Sequence, residues 1–385
     1  MKVKLLNKID KFGLDILDKK GYEYGEDIAD PDAILLRSAN ILEEEFNPEL
    51  VCISRAGAGV NNIPLDRCAA EGIIVFNTPG ANANAVTELT IASIIIASRN
   101  VIKANKWINN LEDHENLSKQ VEKNKAQFVG HEIKGKKLGV IGLGAIGGAV
   151  ANDAYHLGMS VLGYDPYISV NAAWHLSRSI NKAESYDEIY KEADYITIHV
   201  PSLDSTRNLI NKDAIAKMKD GVKIINLARG DLVNTDDIIE AVQSGKVSTY
   251  VTDFADEKML DVDNIICIPH LGASTTESEE NCAIMAANEI IDFFEYGVIN
   301  NSVNYPRISQ PKTCEHRIIV LHKNIPGMLA QISNSYSDMS FNIESLFSQA
   351  NDKYAVSVLD THMEVPESII AKIKSIDGVI RVIIC

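Results

Sequence analysis

The chain has 385 residues, 46% hydrophobic and 23% charged, with a formal net charge of −16. That length and balance describe ordinary globular material of two or three domains, and the acidity excludes a nucleic-acid partner, because no basic stripe is available to release counterions. The six cysteines form no C-x-x-C pair and lie mostly in apolar runs, a pattern of buried thiols in a reducing cytosol, with no structural zinc site.

The chain opens as a charged strand, Met1-Lys2-Val3-Lys4-Leu5-Leu6, without the apolar core of a signal peptide. Its longest apolar runs, such as residues 94–97, fall far short of a membrane span, so a cytoplasmic protein with no membrane partner is expected. Short strands are expected over 3–6, 33–36, 52–55 and 73–76, alternating with helical stretches and Gly/Pro/Asn turns, and a helix over 88–99 follows. This βα series is assigned to a first domain, residues 1–98.

A second βα series occupies residues 99–275, with strands expected over 137–141, 160–164, 195–199, 223–227, 249–253 and 265–268. Its first strand runs into Gly142-Leu143-Gly144-Ala145-Ile146-Gly147 and then into a helix-forming stretch. In a Gly-x-Gly-x-x-Gly turn the first glycine permits the tight turn, the second lets backbone N–H groups approach a pyrophosphate, and the third lets helix and strand pack closely. The next strand ends at Asp165, where such a unit carries a carboxylate for the adenosine ribose hydroxyls. A unit charge about 4 Å from a 2′-phosphate costs on the order of 4 kcal/mol at an effective dielectric of ~20, so NAD is expected rather than NADP. The bland reading of Asp165, ahead of Pro166, is a turn or cap carboxylate.

Three polar groups follow strand ends in this half, where open α/β sheets bind ligands. Arg229 follows Ile224-Ile225-Asn226-Leu227-Ala228 and offers a planar fork to a substrate carboxylate and the adjacent carbonyl. His270, in Ile268-Pro269-His270-Leu271-Gly272-Ala273-Ser274, is a residue type suited to proton exchange with a hydroxyl while hydride moves at carbon. An acid, Asp256 or Glu257, is expected to pair with that imidazole and fix its tautomer.

Residues 276–297 read as one long helix returning the chain to the first domain, which is therefore discontinuous, 1–98 plus 276–305. Residues 306–314, with two prolines, read as a linker that could form part of a hinge. Beyond it strands over 316–322, 343–349, 354–363 and 379–384 and helices over 326–337 and 366–376 give a βαββαβ module, residues 315–385, in the ferredoxin-like layout.

The glycine motif, Ala228-Arg229-Gly230, the acidic loop and Pro269-His270-Leu271-Gly272-Ala273-Ser274, together with His199-Val200-Pro201, Thr206 and the early loop Arg55-Ala56-Gly57-Ala58-Gly59, resemble the NAD-dependent D-2-hydroxyacid dehydrogenase family over residues 1 to about 305. The resemblance implies a flavodoxin-like substrate domain, a Rossmann NAD-binding domain and a catalytic triad of Arg229, Glu257 and His270. It places NAD on Gly142, Gly144, Ala145, Ile146, Gly147, Asp165, Val200, Pro201, Thr206, Leu227, Ala228, Arg229, His270, Gly272 and Ala273, and the substrate on Ala58, Gly59, Arg229 and His270. The family has Asp-Val-Phe-Pro-x-Glu in the acidic loop, whereas this chain reads Thr252-Asp253-Phe254-Ala255-Asp256-Glu257. Either Thr252 or Asp253 then takes the aspartate's contact with the nicotinamide amide, and Asp253 is the choice made here.

The stretch Asn77-Thr78-Pro79-Gly80 through Leu89 and the pair Arg37-Ser38 resemble the branch that oxidises 3-phospho-D-glycerate to 3-phosphohydroxypyruvate. Arg37 is then a phosphate cation and Asn84 a further substrate contact, with another cation sought at Lys106 or between Lys119 and Lys125. The C-terminal stretch Leu321-His322-Lys323-Asn324-Ile325-Pro326-Gly327 with Asn342 is similar to the amino-acid-binding ACT domain in its serine-sensing form. That implies L-serine as an effector on His322, Asn324 and Asn342, and a homodimer or homotetramer. Two alternatives stay open, a glyoxylate or hydroxypyruvate reductase and a non-enzymatic, corepressor-like NAD sensor.

Overall fold

The computed structural model describes residues 1–112 and 114–385. Two units emerge, one of residues 1–82 and 276–385 and the other of residues 83–275. In the first, β1 (Lys2–Leu6), α1 (Lys11–Lys19), β2 (Glu23–Gly25), β3 (Ala33–Leu36), β4 (Cys52–Arg55), α2 (Leu65–Ala70) and β5 (Ile74–Phe76) follow one another. The strands pair in parallel in the order β2-β1-β3-β4-β5, the flavodoxin-like order expected. β3 is buried at all four positions, as befits a strand covered on both faces. β2 was not expected: Glu23-Tyr24-Gly25 carries no apolar period and is a strand through its pairing with Lys2, Val3 and Lys4.

The second unit begins with α3 (Ala83–Ser98), α4 (Val101–Asn109) and α5 (Leu117–Asn124) and continues with β6 (Lys137–Ile141), α6 (Ala145–His156), β7 (Ser160–Tyr164), α7 (Val170–Trp174), β8 (Asn181–Lys182), α8 (Tyr186–Glu192) and β9 (Tyr195–Ile198). Then come α9 (Lys212–Ala216), β10 (Val222–Asn226), α10 (Thr235–Gln243), β11 (Val247–Thr252) and β12 (Ile265–Cys267). The all-parallel sheet has the order β12-β11-β10-β9-β6-β7-β8, a Rossmann sheet with one strand added beyond the usual six.

The boundary expected after residue 98 falls after residue 82. Val86, Ile94 and Ala97 of α3 share a core with Leu138, Val140, Val150 and Val251, and the Ser98 hydroxyl meets that of Tyr195 at 2.8 Å. The sequence of α3 is apolar on more than one face, so its pattern does not declare which sheet it covers. By contrast α4 and α5 bury no residue. No single helix among the described residues is long and apolar enough to cross a membrane.

The chain returns to the first unit through α11 (Thr276–Tyr296), then forms β13 (His316–Lys323), α12 (Met328–Ser337), β14 (Ser345–Ala350), β15 (Tyr354–Thr361), α13 (Glu367–Lys374) and β16 (Val379–Ile384). These last four strands make an antiparallel sheet in the order β14-β15-β13-β16, the ferredoxin-like arrangement. The module shares its core: Ile319, Leu321, Val356, Val358 and Ile383 belong to the same apolar cluster as Phe293, Ile299 and Ile308.

Nor is residues 306–314 a free linker. Arg317, 1% exposed, spends all its N–H groups on Asp360, at 2.6 and 2.8 Å, and on the carbonyls of Tyr296, Gln310 and Pro311. The Arg381 guanidinium likewise donates to the carbonyls of Pro48, Leu50 and Glu71. A hinge at 306–311 would have to break this set, because a buried arginine stripped of its acceptors is strongly unfavourable.

Candidate active site

β6 delivers the chain to Gly142 at φ +88°, where a Cβ would meet the His199 carbonyl oxygen at 2.5 Å. One on Gly147 would stand 1.9 Å from the Gly142 carbonyl oxygen, and one on Gly144 would meet nothing within 4 Å. The first and third glycines close the turn, and the second leaves the backbone at the N-terminal end of α6 open to an anion. Ala145 and Ile146 begin that helix.

Asp165 does two jobs. Its Oδ2 accepts from the Leu143 N–H at 2.9 Å and its Oδ1 from the Tyr167 N–H at 2.8 Å, so it caps the following turn and also ties down the glycine loop. Each carboxylate oxygen keeps a second lone pair for a ribose hydroxyl. Asp165→Ala is expected to weaken NADH binding and move cofactor preference toward NADPH, read as the ratio of the two dissociation constants; an unmoved ratio would leave only the cap.

After β9, Thr206 accepts from the Leu203 N–H at 2.8 Å and donates to the Pro201 carbonyl at 2.6 Å, closing the loop that carries Val200. His199, which the sequence reading gave no function, bonds Thr197 Oγ1 at 2.9 Å; burial pushes its pKa down to about 3, so it is neutral.

Three loops converge beyond β10, β11 and β12. In the first, buried Asn226 accepts the Ala228 N–H with its side-chain oxygen and donates to the Arg229 carbonyl at 2.8 Å, shaping the turn that follows buried Leu227. Arg229 is exposed, with Nη1 on the Ala228 carbonyl at 2.6 Å. Asn226 is a positioning residue the motif reading missed; its only signal in the sequence is an amide inside an apolar strand.

Asp253, 2% exposed, accepts the Gly272 N–H on Oδ2 at 3.0 Å, while Oδ1 has no partner among the described residues. Burial raises its pKa, opposed by the Gly272 N–H and by the charges of His270 and Arg229. Thr252 is also buried, and its hydroxyl accepts the Phe254 N–H at 3.1 Å. An orphaned buried carboxylate oxygen needs a donor, which a nicotinamide carboxamide supplies. Of the two candidates Asp253 therefore fits the amide contact, and with the glycine cradle it makes the residues present fit NAD.

His270 stands at φ +33°, a region unfavourable for a residue with a Cβ. Its N–H donates to the carbonyls of Asp253 at 3.0 Å and Ile268 at 3.1 Å, which hold it there. Its ring lies 4.8 Å from that of Phe254, centroid to centroid. The expected pairing with an acid is not formed: Asp256 caps the short 3-10 turn Glu257–Met259 by accepting the Lys258 N–H at 2.9 Å, and Glu257 is exposed on that turn with no ion pair to His270 among the described residues. Gly272 is buried and Ala273 joins the α3 core cluster. Asn84, at the start of α3, is exposed and donates to Glu88 at 2.8 Å.

In the first unit, Arg37 is not an open cation. Its guanidinium pairs with Glu279 at 2.8 Å and its carbonyl accepts from Arg55 Nε at 2.8 Å. Arg55, the last residue of β4 and opposite Leu36 in the β3–β4 register, holds its guanidinium near Gly57; in the sequence it stands only as the first residue of the early loop, with nothing to mark it as a cation for a ligand. The N–H groups of Ala58 and Gly59 have no hydrogen bond among the described residues.

In the C-terminal module His322 is 3% exposed, with Nδ1 on the Lys323 carbonyl and Nε2 on the Ser357 hydroxyl, both at 2.9 Å; burial lowers its pKa, opposed by the bond to the Lys323 carbonyl. Asn324 donates to the Asn351 carbonyl at 2.8 Å and Asn342 to Glu344 at 2.6 Å. The three residues expected to bind serine are not joined by hydrogen bonds, because each has a nearer partner.

Residues 91–272 match the family described as D-isomer specific 2-hydroxyacid dehydrogenase, NAD binding domain. The chain is 33% identical to D-3-phosphoglycerate dehydrogenase of Haemophilus influenzae over 379 residues, 94% of this chain and 88% of that one. It is 35% identical to hydroxypyruvate reductase of Thermotoga maritima, over 70% of this chain and 87% of that one. The chain spans 55% to 61% of the length of four further relatives named D-3-phosphoglycerate dehydrogenase. Among solved structures, NAD+-bound 3-phosphoglycerate dehydrogenase of Entamoeba histolytica superposes with a TM-score of 0.62 at 27% identity, covering 79% of this chain and 98% of that one.

Proposed function

The chain belongs to the D-2-hydroxyacid dehydrogenase family, and within it we propose that the protein oxidises 3-phospho-D-glycerate to 3-phosphohydroxypyruvate with NAD, the first step of L-serine synthesis. The observation that carries the reading is His270, held at a positive φ by the Asp253 carbonyl at the mouth of three strand-end loops. His270 removes the proton of the C2 hydroxyl. Arg229 orients the carboxylate and the C2 oxygen, and the free N–H groups of Ala58 and Gly59 receive a carboxylate oxygen. Arg37 and Arg55 supply charge for the phosphate, and Asn84 is kept as a further substrate contact. Glu257 is kept as the acid of the triad, since Asp256 is engaged in capping its turn. The hydride that leaves C2 as the C2–O bond becomes a carbonyl needs an acceptor, the chemistry NAD would supply when bound; Asp253 would hold its carboxamide, and the glycine cradle with Asp165 the rest of it.

NADH consumption with phosphohydroxypyruvate, hydroxypyruvate and glyoxylate tests the reading. A preference for the phosphorylated substrate supports it. Preference for hydroxypyruvate would favour the reductase reading, which the Thermotoga maritima relative motivates. NADH binding without turnover on any of the three would leave a sensor.

The cytoplasm is the proposed location and an oligomer the proposed state, with α4 and α5, which bury nothing within their own chain, as the contact between copies. L-serine is the proposed effector, bound through Asn324 and Asn342 where two modules meet. Because the Ser357 hydroxyl already occupies His322, serine there must displace it. Millimolar L-serine is expected to slow NADH consumption by wild type and to act less on Asn342→Ala. A wild type indifferent to serine in both the assay and calorimetry would end the proposal and leave the dehydrogenase reading standing.

A further inference from the structure

A buried carboxylate that the chemistry does not use lies behind the Ala58–Gly59 loop. Glu289 of α11 is 6% exposed, and its carboxylate accepts hydrogen bonds from the Asn301 side chain and backbone. The Asn301 carbonyl accepts the Asn77 N–H at 3.2 Å. Asn77 Nδ2 donates to the Ala58 carbonyl at 2.6 Å, and the Thr78 N–H to the Gly57 carbonyl at 3.2 Å. In a trans peptide the C=O and the following N–H are antiparallel in one plane. Holding the Gly57 and Ala58 carbonyls therefore aims the N–H groups of Ala58 and Gly59, the two donors left free.

We propose that Glu289 is a positioning residue for substrate binding: through Asn301 and Asn77 it fixes the direction of the two N–H groups assigned to the substrate carboxylate. The inference rests on that assignment in the proposed function. A charged acceptor grips Asn301 more firmly than a neutral one, so the grip depends on ionisation. Burial, with Asp292 on the same helix adding to it and the Asn301 bonds and Arg307 in the segment after the helix opposing it, pushes the Glu289 pKa up to about 7. As pH falls through that value the carboxylate is neutralised and the loop loosens.

Stability moves the other way. A carboxyl whose pKa is raised on folding binds more protons in the folded state between its unfolded and folded pKa values, so stability falls as pH rises across that window. At pH 8, Glu289→Gln, which removes the buried charge but keeps the shape, is expected to melt no lower than wild type.

The test is Glu289→Gln, Asn77→Ala and the double variant of the full chain, assayed with NADH and phosphohydroxypyruvate from pH 6 to 8.5. The expected result for Glu289→Gln at pH 8 is a KM for phosphohydroxypyruvate about fivefold higher, with kcat and the NADH dissociation constant within twofold and Tm not lowered. The wild-type KM should rise toward pH 6 more than that of Glu289→Gln, and the double variant should be no worse than the worse single one. A KM within twofold of wild type throughout, fully additive effects, or a KM rise only alongside a lowered Tm would overturn the proposal. If wild type turns over none of the substrates, the functional reading fails by itself. The positioning claim is then decided by amide hydrogen exchange over residues 56–62, faster in Glu289→Gln if it is right and unchanged if it is wrong.

Discussion

His270→Ala is expected to lower turnover by about 10²- to 10⁴-fold, the range for a lost general acid–base, while the NADH dissociation constant stays within twofold. The two halves of the expectation rest on different parts of the second unit. Proton transfer depends on an imidazole at the end of β12, kept in an unfavourable backbone conformation by the carbonyls of Asp253 and Ile268 and flanked by the Phe254 ring. Cofactor binding is assigned, in the proposed function, to the glycine cradle after β6 and to Asp253. Alanine at 270 also relieves no more than a fraction of the backbone strain, since it too carries a Cβ, so the loop should keep its course. Stopped-flow turnover with phosphohydroxypyruvate and fluorescence titration with NADH measure the two halves separately, and near-normal turnover would remove His270 from the mechanism.

The second large effect belongs to Gly147→Val. Even the first carbon of the new side chain would lie 1.9 Å from the Gly142 carbonyl oxygen and 3.2 Å from the His199 Cβ. The first of these contacts is to backbone within the same cradle, so no rotamer relieves it. Overpacking of this kind costs on the order of 3 kcal/mol, and if it is expressed in cofactor binding the NADH dissociation constant rises by roughly 100-fold. A fall in Tm is expected with it. Gly144→Ala separates space from stability: its Cβ meets nothing within 4 Å in the protein alone, so Tm should hold while NADH binding fails, because the carbon enters the room left for the phosphates. Normal NADH binding by both variants would show that this turn does not hold the cofactor.

Local chemistry made most of the candidate residues readable. The glycine spacing, the carboxylate at the end of β7, and an arginine and a histidine just past apolar strands are short-range patterns, and each side chain lies where its strand delivers it. Spacing does not separate Asp253 from Thr252, and both are buried; they differ in hydrogen bonding, since Asp253 keeps an acceptor without a partner among the described residues while the Thr252 hydroxyl accepts the Phe254 N–H. Glu257 was legible as an acid near His270 in sequence but not as an exposed one, because the Asp256 cap that sets the turn's direction is a matter of geometry. Arg37 read as a free cation until Glu279, more than two hundred residues later, appeared beside it.

What the sequence by itself determined is the order of βα units, the βαββαβ module and the nucleotide turn, because apolar period, β-branching and glycine conformation act over a few residues; the flavodoxin-like sheet was implied only by the family resemblance. The tertiary structure alone decided where the first domain ends, since α3 is apolar on several faces and takes the partner that surrounds it. It alone made strands of Glu23–Gly25 and Asn181–Lys182, whose polar residues pair with a neighbour rather than follow a pattern. It also turned an apparent linker into a clamped segment, because Arg317 gathers carbonyls from Tyr296, Gln310 and Pro311. Each of these depends on contacts between residues distant in the chain, and such contacts leave no period or spacing to read.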